Sequence, residues 1–137
     1  MRLLQTVVLM ISLDTNVLVR IFVDDPGNSE QSAKVRKKVG RYKTVYVTQV
    51  VQVETVWVLS RAYGFSRSDI ELVLENLLNN LAFNLENEAI FFLALQQYTT
   101  SNIDFSDAVI LQRSIQKNLK LLSFDKKLLK QEDVVAV

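Results

Sequence analysis

Residues 7–22 read VVLMISLDTNVLVRIF, and the fold turns on how this stretch is parsed. Val7 to Leu13 is a near-continuous apolar run, as in a strand buried on both faces of a parallel sheet. Asp14, Thr15 and Asn16 break it with polar turn formers, and Val17, Leu18, Ile21 and Phe22 then recur at helical spacing. Strand, polar turn, helix is the opening unit of an α/β chain. The run also invites comparison with a secretory signal, but Gln5 and Thr6 interrupt it and no small-residue cleavage site follows, so a buried strand is expected. Met10 begins the string MISLDTN, which makes residues 1–9 a candidate N-terminal extension. No other stretch nears the roughly 20 apolar residues that a membrane span needs.

The same unit repeats along the chain. Asn28 is placed to cap a polar helix carrying Lys34, Arg36, Lys37 and Lys38, and Gly40 suits its end. TVYV at 44–47 is β-branched and aromatic, hence a strand. Thr48 caps a helix to about Tyr63, with Val50, Val53, Trp57 and Ser60/Arg61 as its spaced face and Gly64 as terminator. Ser66 to Asp69 (SRSD) resembles a capping box and opens a helix through Ile70, Leu74, Leu77 and Leu78. A short strand at 82–85 precedes a helix over 87–99 that is apolar on most sides. Covering Phe91 or Phe92 on that helix is a task for a dimer interface. Asp104 and Asp107 open the next helix, where the macrodipole favours negative charge. KLLSF at 120–124 is a strand ending at Asp125, and a short Lys-rich helix and a strand over 133–137 finish the chain. The alternation predicts a three-layer α/β/α domain with a central, mainly parallel sheet.

Composition narrows the chemistry. With 137 residues, 49% of them apolar, one domain over residues 1–137 with one core is expected, and no linker or repeat divides it. Sixteen Lys and Arg against fifteen Asp and Glu leave a net charge of +1, which says little by itself. The chain has no Cys, so disulfides, thiolate nucleophiles and Cys-bound zinc are excluded, in keeping with a cytoplasmic protein. It also has no His, which excludes Ser-His-Asp triads, His-bound zinc and His acid/base pairs. Hydrolysis, if performed, is left to carboxylates with a hard metal.

Asp14 and Asp125 each follow an apolar strand, and loops at the C-terminal strand ends are where α/β sites collect. The two face one rim if their strands are neighbours, and Asp107 is placed to reach it. Glu54 is the odd residue in VVQVETVWVL. It either lies on a solvent stripe or points into an acidic pocket. The pocket is favoured because Gln52, Thr55 and Arg61 share no clean polar face with it, and a buried carboxylate needs a cation. Converging carboxylates repel unless positive charge is supplied, and all-oxygen ligation suits Mg²⁺ or Mn²⁺, which activate water and stabilise charge on a phosphodiester.

MISLDTNVLVR, the Glu in QVVQVETVWVL, the helix start DFSDAVIL and LLSFDKKL together resemble the PIN-domain nucleases, particularly VapC-type toxins of toxin–antitoxin pairs. The likeness runs from about Met10 to Val137. It implies that Asp14, Glu54, Asp107 and Asp125 bind Mg²⁺ or Mn²⁺, with Asp104 as an additional candidate ligand. It further implies that Asn16 and Ser123 are secondary polar groups, and that the substrate is single-stranded or loop RNA. A homodimer and a small antitoxin whose C-terminal segment enters the groove belong to the same implication.

Each residue also has a plainer role. Asp14 suits an N-cap and Asp104 is the better pure N-cap, Asp107 suits a helix dipole, Asp125 a turn, and Asn16 and Ser123 local hydrogen bonds. Lys126 and Lys127 are the candidate substrate-binding cations; the stretch Lys34 to Lys43 reads first as a solvated face. A housekeeping RNA-processing nuclease is the alternative to the toxin role, and two rival functions stand beside the nuclease. One is a PIN-like module that binds RNA or protein without cutting. The other is a phosphatase or receiver-like domain using Asp14 covalently, which Leu13 and Asn16 disfavour because the acidic neighbours such sites use are missing.

Overall fold

The polar residues that follow the first two strands start helices. Asp14 Oδ1 accepts the Val17 amide (3.0 Å) and Thr48 Oγ1 accepts the Val51 amide (3.3 Å), each satisfying an N–H that has no partner inside its helix. The computed structural model describes residues 9–24 and 26–137, so Val7 and Val8 of the expected first strand, the start of the candidate extension and Asp25 lie outside it. In chain order the elements are β1 (Met10–Ser12), α1 (Thr15–Phe22), a 3-10 turn (Pro26–Asn28), α2 (Ser29–Val39), β2 (Thr44–Val47), α3 (Gln49–Ala62) and α4 (Arg67–Asn79). There follow β3 (Phe83–Leu85), α5 (Glu88–Thr100), α6 (Phe105–Gln116), β4 (Leu121–Ser123), a second 3-10 turn (Leu128–Lys130) and β5 (Val134–Ala136).

All strand pairs are parallel, as the alternation of strands and helices requires. β2 is central in the order β1-β2-β3, with Ile11 opposite Val45 and Val47 opposite Leu85, and its Val45 and Val47 are buried. β4 pairs with β5 in a second ladder, and among the described residues no ladder joins β1 to β4. The α/β fold with parallel strands is therefore as expected, but the strands carrying Asp14 and Asp125 are not hydrogen-bonded neighbours. β1 is also shorter than its apolar run, and both Met10 and Ser12 are exposed, because an edge strand pairs on one side only. The Lys-rich helix expected after Asp125 is a single 3-10 turn, and Asn28 stands at the N-cap of α2 without bonding a first-turn amide.

Two features fix the helices that carry the site. Phe105, at the start of α6, is buried and meets Phe91 (5.6 Å) and Tyr98 (6.2 Å) of α5 edge to face, the arrangement aromatic pairs prefer. Of the neighbouring phenylalanines on α5, Phe91 is buried and Phe92 is exposed. The second feature is α3, whose buried side holds Gln49, Gln52 and Thr55 while Val50 and Trp57 face out, the reverse of the spaced face read from the sequence. The reason is the sheet. Val47 O at the end of β2 accepts the Glu86 amide (3.0 Å), and Gln52 Nε2 donates both to it (3.1 Å) and to Glu86 O beyond β3 (2.9 Å), bridging the two strand ends. Glu86 in turn accepts the Gln49 amide (2.7 Å), placing a carboxylate at the positive end of α3. Gln49 Oε1 accepts from Arg113 (2.6 Å) and Asn87 (3.3 Å), which ties α3 to α6.

Gly64 has φ +66°, the left-handed conformation a residue past a helix end adopts, and the Phe65 amide then reaches back to Leu59 O (3.0 Å). The chain restarts at once through the expected capping box, with Ser66 Oγ accepting from the Asp69 amide and Asp69 Oδ2 from the Ser66 amide. The β4–β5 unit is joined to the helices through buried Leu128 and a run of amides in which Gln112 donates to Gln97 and Gln97 to Gln131. Among the described residues no helix is long and apolar enough to cross a membrane.

Candidate functional site

Thr15, next to Asp14 in the chain, links α1 to Glu54. Its hydroxyl donates to Glu54 Oε1 (3.1 Å), so the first residue of α1 binds the middle of α3. Asp14 is exposed and engages its Oδ1 in capping, so the capping role read from the sequence is realised on one oxygen while Oδ2 lies outside that bond. Asp14 also borders a cavity of about 580 Å³ with Lys34, Lys38 and Tyr42. The basic helix thus supplies two ammonium groups near the rim, where Lys126 and Lys127 were the expected ones. Asn16 is exposed and its side chain bonds to no described residue.

Asp104, Asp107 and Asp125 interact as charges. Partial burial, then the nearby Asp104 and Asp125 carboxylates, push the Asp107 carboxyl above the usual range, and Lys127 opposes them. Asp125 is exposed and its Oδ1 accepts the Lys127 (2.8 Å) and Leu128 (3.1 Å) amides, the turn role expected of it. Ser123 Oγ bonds the Asp125 amide (2.9 Å), a structural use of that hydroxyl. Asp104 occupies the N-cap of α6, yet its side chain bonds no amide there, so the purest capping residue read from the sequence leaves its carboxylate out of the cap. Lys126 is exposed.

Glu54 and Asp104 line one groove of about 540 Å³, with Trp57, Ser60, Arg61 and Phe65 among its other walls. Glu54 is exposed within this groove. Gln52 and Thr55 are on the opposite, buried side of α3, but Arg61, two turns on, does share its face. The inference that a buried Glu54 demands a cation therefore does not hold. Arg67, read from the sequence only as part of a cap, sets the opposite wall. Its Nη2 donates to Tyr98 O (2.7 Å), Ile103 O (3.1 Å) and Ser101 O (3.2 Å), and the guanidinium stacks on the Tyr98 ring at 3.7 Å. It thereby holds the segment that leads to Asp104.

The donor set is all oxygen, which suits a hard divalent ion. The carboxylates stand as an Asp14–Glu54 pair linked by Thr15 and an Asp104–Asp107–Asp125 group, and among the described residues no three acidic side chains are gathered tightly enough to hold a metal. Repulsion keeps bare carboxylates apart, and drawing them together needs added positive charge. Thr15, Lys34, Lys38, Trp57, Arg61 and Arg67 are the groups around these carboxylates that sequence reading did not place there. Of these only Trp57 and Arg61 carried a visible signal, as a ring and a cation spaced i, i+4.

In comparison with known proteins, no curated protein matches the chain. A family model does, that of the PIN domain, over residues 11–133, a span that contains every candidate carboxylate. The chain belongs to the PIN-domain family, whose members are generally nucleases.

Proposed function

We propose that this chain is a Mg²⁺- or Mn²⁺-dependent endoribonuclease and the toxin of a toxin–antitoxin pair. The observation that carries the nuclease reading is that Glu54 and Asp104, carried by separate elements, line one groove. Thr15, the neighbour of Asp14 in the chain, donates to Glu54, and Asp107 sits among Asp104, Asp125 and Lys127. Asp14, Glu54, Asp107 and Asp125 hold the ion in this reading, with Asp104 beside them. A bound dication supplies the charge that offsets their repulsion, activates water and stabilises the phosphodiester as it gains charge. The chain's own part is to present oxygens from α1, α3, α6 and the turn after β4 and to leave Lys34, Lys38 and Lys127 for phosphate. The toxin role, the homodimer and the small antitoxin rest on the resemblance alone.

The test is cleavage of a labelled single-stranded RNA with Mn²⁺. EDTA, Asp14→Asn and Asp107→Asn should each abolish cutting while the melting curves stay cooperative. Wild-type cutting by folded Asp14→Asn overturns the assignment. Induced expression should arrest growth of a bacterial host, and the Asp14→Asn variant should not.

A second reading, a PIN domain that binds RNA without cutting it, is favoured by the open spacing of the carboxylates. Calorimetry that detects no Mn²⁺ binding while RNA affinity persists would select it.

A further inference from the structure

We infer that Trp57 and Arg61 form a stacking platform for one unpaired nucleobase, so that a single strand of RNA lies along α3 with its backbone passing Glu54 and Asp104. This rests on the nuclease reading and names how its substrate is held.

Trp57 is the only tryptophan in the chain, and 59% of it is exposed. A ring of that size is normally buried, and here Arg61 lies over it while most of the ring stays exposed. Arg61 lies one turn further on with its guanidinium 5.0 Å from the ring centre, and it makes no ion pair or hydrogen bond with a described residue. Arg67, the other arginine of the groove, has three carbonyls as partners and is committed to them. Arg61 is therefore the cation of this groove that remains open to a phosphate.

The order along the helix gives the direction. Glu54, Trp57 and Arg61 share a face, and at the α-helical rise Trp57 lies about 4.5 Å and Arg61 about 10.5 Å beyond Glu54 along the axis. A strand following this ridge meets a carboxylate, an aromatic face and a cation in turn. The middle of the ridge suits an uncharged, flat group, and its far end suits an anion. Stacking on an aromatic face tolerates every base, and the arginine answers the backbone charge.

Because Trp57 is the sole tryptophan, its fluorescence reports on this position alone. The experiment titrates the full chain in EDTA with an unlabelled single-stranded RNA 10-mer of mixed sequence, following tryptophan emission, and in parallel follows the anisotropy of a fluorescein-labelled copy. Emission should be quenched as RNA binds. Trp57→Ala should weaken binding about tenfold or more, and Trp57→Phe should keep most of the affinity. Arg61→Ala should weaken binding and reduce the salt slope by about one. RNA that binds without changing Trp57 emission, with Trp57→Ala as tight as wild type, overturns the platform and leaves the nuclease reading standing. Trp57→Ala that changes only the sedimentation of the chain, with RNA affinity intact, assigns the face to a second copy and also overturns it. Wild-type protein that neither binds the RNA in EDTA nor cuts it with Mn²⁺ removes the nuclease reading itself, a failure seen before any variant is made.

Discussion

Gln52 offers the sharpest test of how α3, and with it Glu54, is positioned. Its side chain is fully buried, its Nε2 donates to the carbonyls of Val47 and Glu86, and its Oε1 has no partner. Gln52→Leu keeps the volume roughly constant but leaves the Glu86 carbonyl without its donor, at about 1–3 kcal/mol, while Val47 O keeps the Glu86 amide (3.0 Å). It also removes the orphan Oε1, a gain of similar size, and adds apolar burial. The two terms nearly offset, and Gln52→Leu should stay within about 1 kcal/mol of wild type, or roughly 3–4 °C of melting temperature in a domain of this size. Gln52→Glu is the harsher change, since it turns a donor into an anion facing two carbonyl oxygens and should cost about 3–5 kcal/mol when charged. Burial would raise the folded-state pKa of that Glu above its unfolded value. The penalty should then be small at pH 5 and grow as pH rises towards 8. Urea unfolding at both pH values measures this. If Gln52→Glu loses no more than Gln52→Leu at pH 8, the strand-end carbonyls do not hold α3 as argued.

Other substitutions test the remaining anchors. Phe105→Ala removes a buried ring in contact with Phe91 and Tyr98 and should cost about 3–5 kcal/mol in chemical denaturation. Gly64→Ala meets open space but must adopt φ +66°, so a loss of about 1–2 kcal/mol should come from backbone strain alone. Arg67→Lys keeps the charge but loses the planar group that reaches three carbonyls and covers Tyr98; it should destabilise by about 2–3 kcal/mol, and an unchanged melting temperature would discount that role.

What could be read from the sequence was what depends on residues three or four apart. Asp14, Thr48 and the Ser66–Asp69 box start helices because the capping bond joins i to i+3, and no distant partner is needed. The strand-helix alternation was legible for the same reason. The buried face of α3 was not, because the carbonyls that require Gln52 belong to β2 and to the residue after β3, over thirty positions further on in the second case. Periodicity counts apolar residues and cannot register that a helix over strand ends must bring amides. Phe91 and Phe92 are equivalent in composition, and only the docking of α6 through Phe105 decides between them. Asp104 looked like the better cap, yet in the fold its carboxylate bonds no first-turn amide and borders the groove instead.

The candidate carboxylates are carried by elements with separate anchors. Glu54 is placed by the amide bonds of Gln52 and by Thr15, whereas Asp104 and Asp107 are placed by Phe105 and by Arg67 holding the turn before α6. Asp125 follows a ladder of its own. Such an arrangement would let Asp14 and Asp125 keep their backbone bonds while the distance between the two groups responds to charge. A cation placed between them would then draw oxygens from both groups without breaking the caps on Asp14 or Asp125, since both caps use only Oδ1. It follows that metal binding and capping are separable. Asp14→Asn retains a side-chain oxygen for the Val17 amide, so it should hold α1 in place while removing the charge, whereas Asp14→Ala should lose the cap as well, about 1 kcal/mol of stability. Equal melting temperatures for the two variants would mean that the Asp14 bond to Val17 contributes nothing, and that the two roles had been wrongly divided.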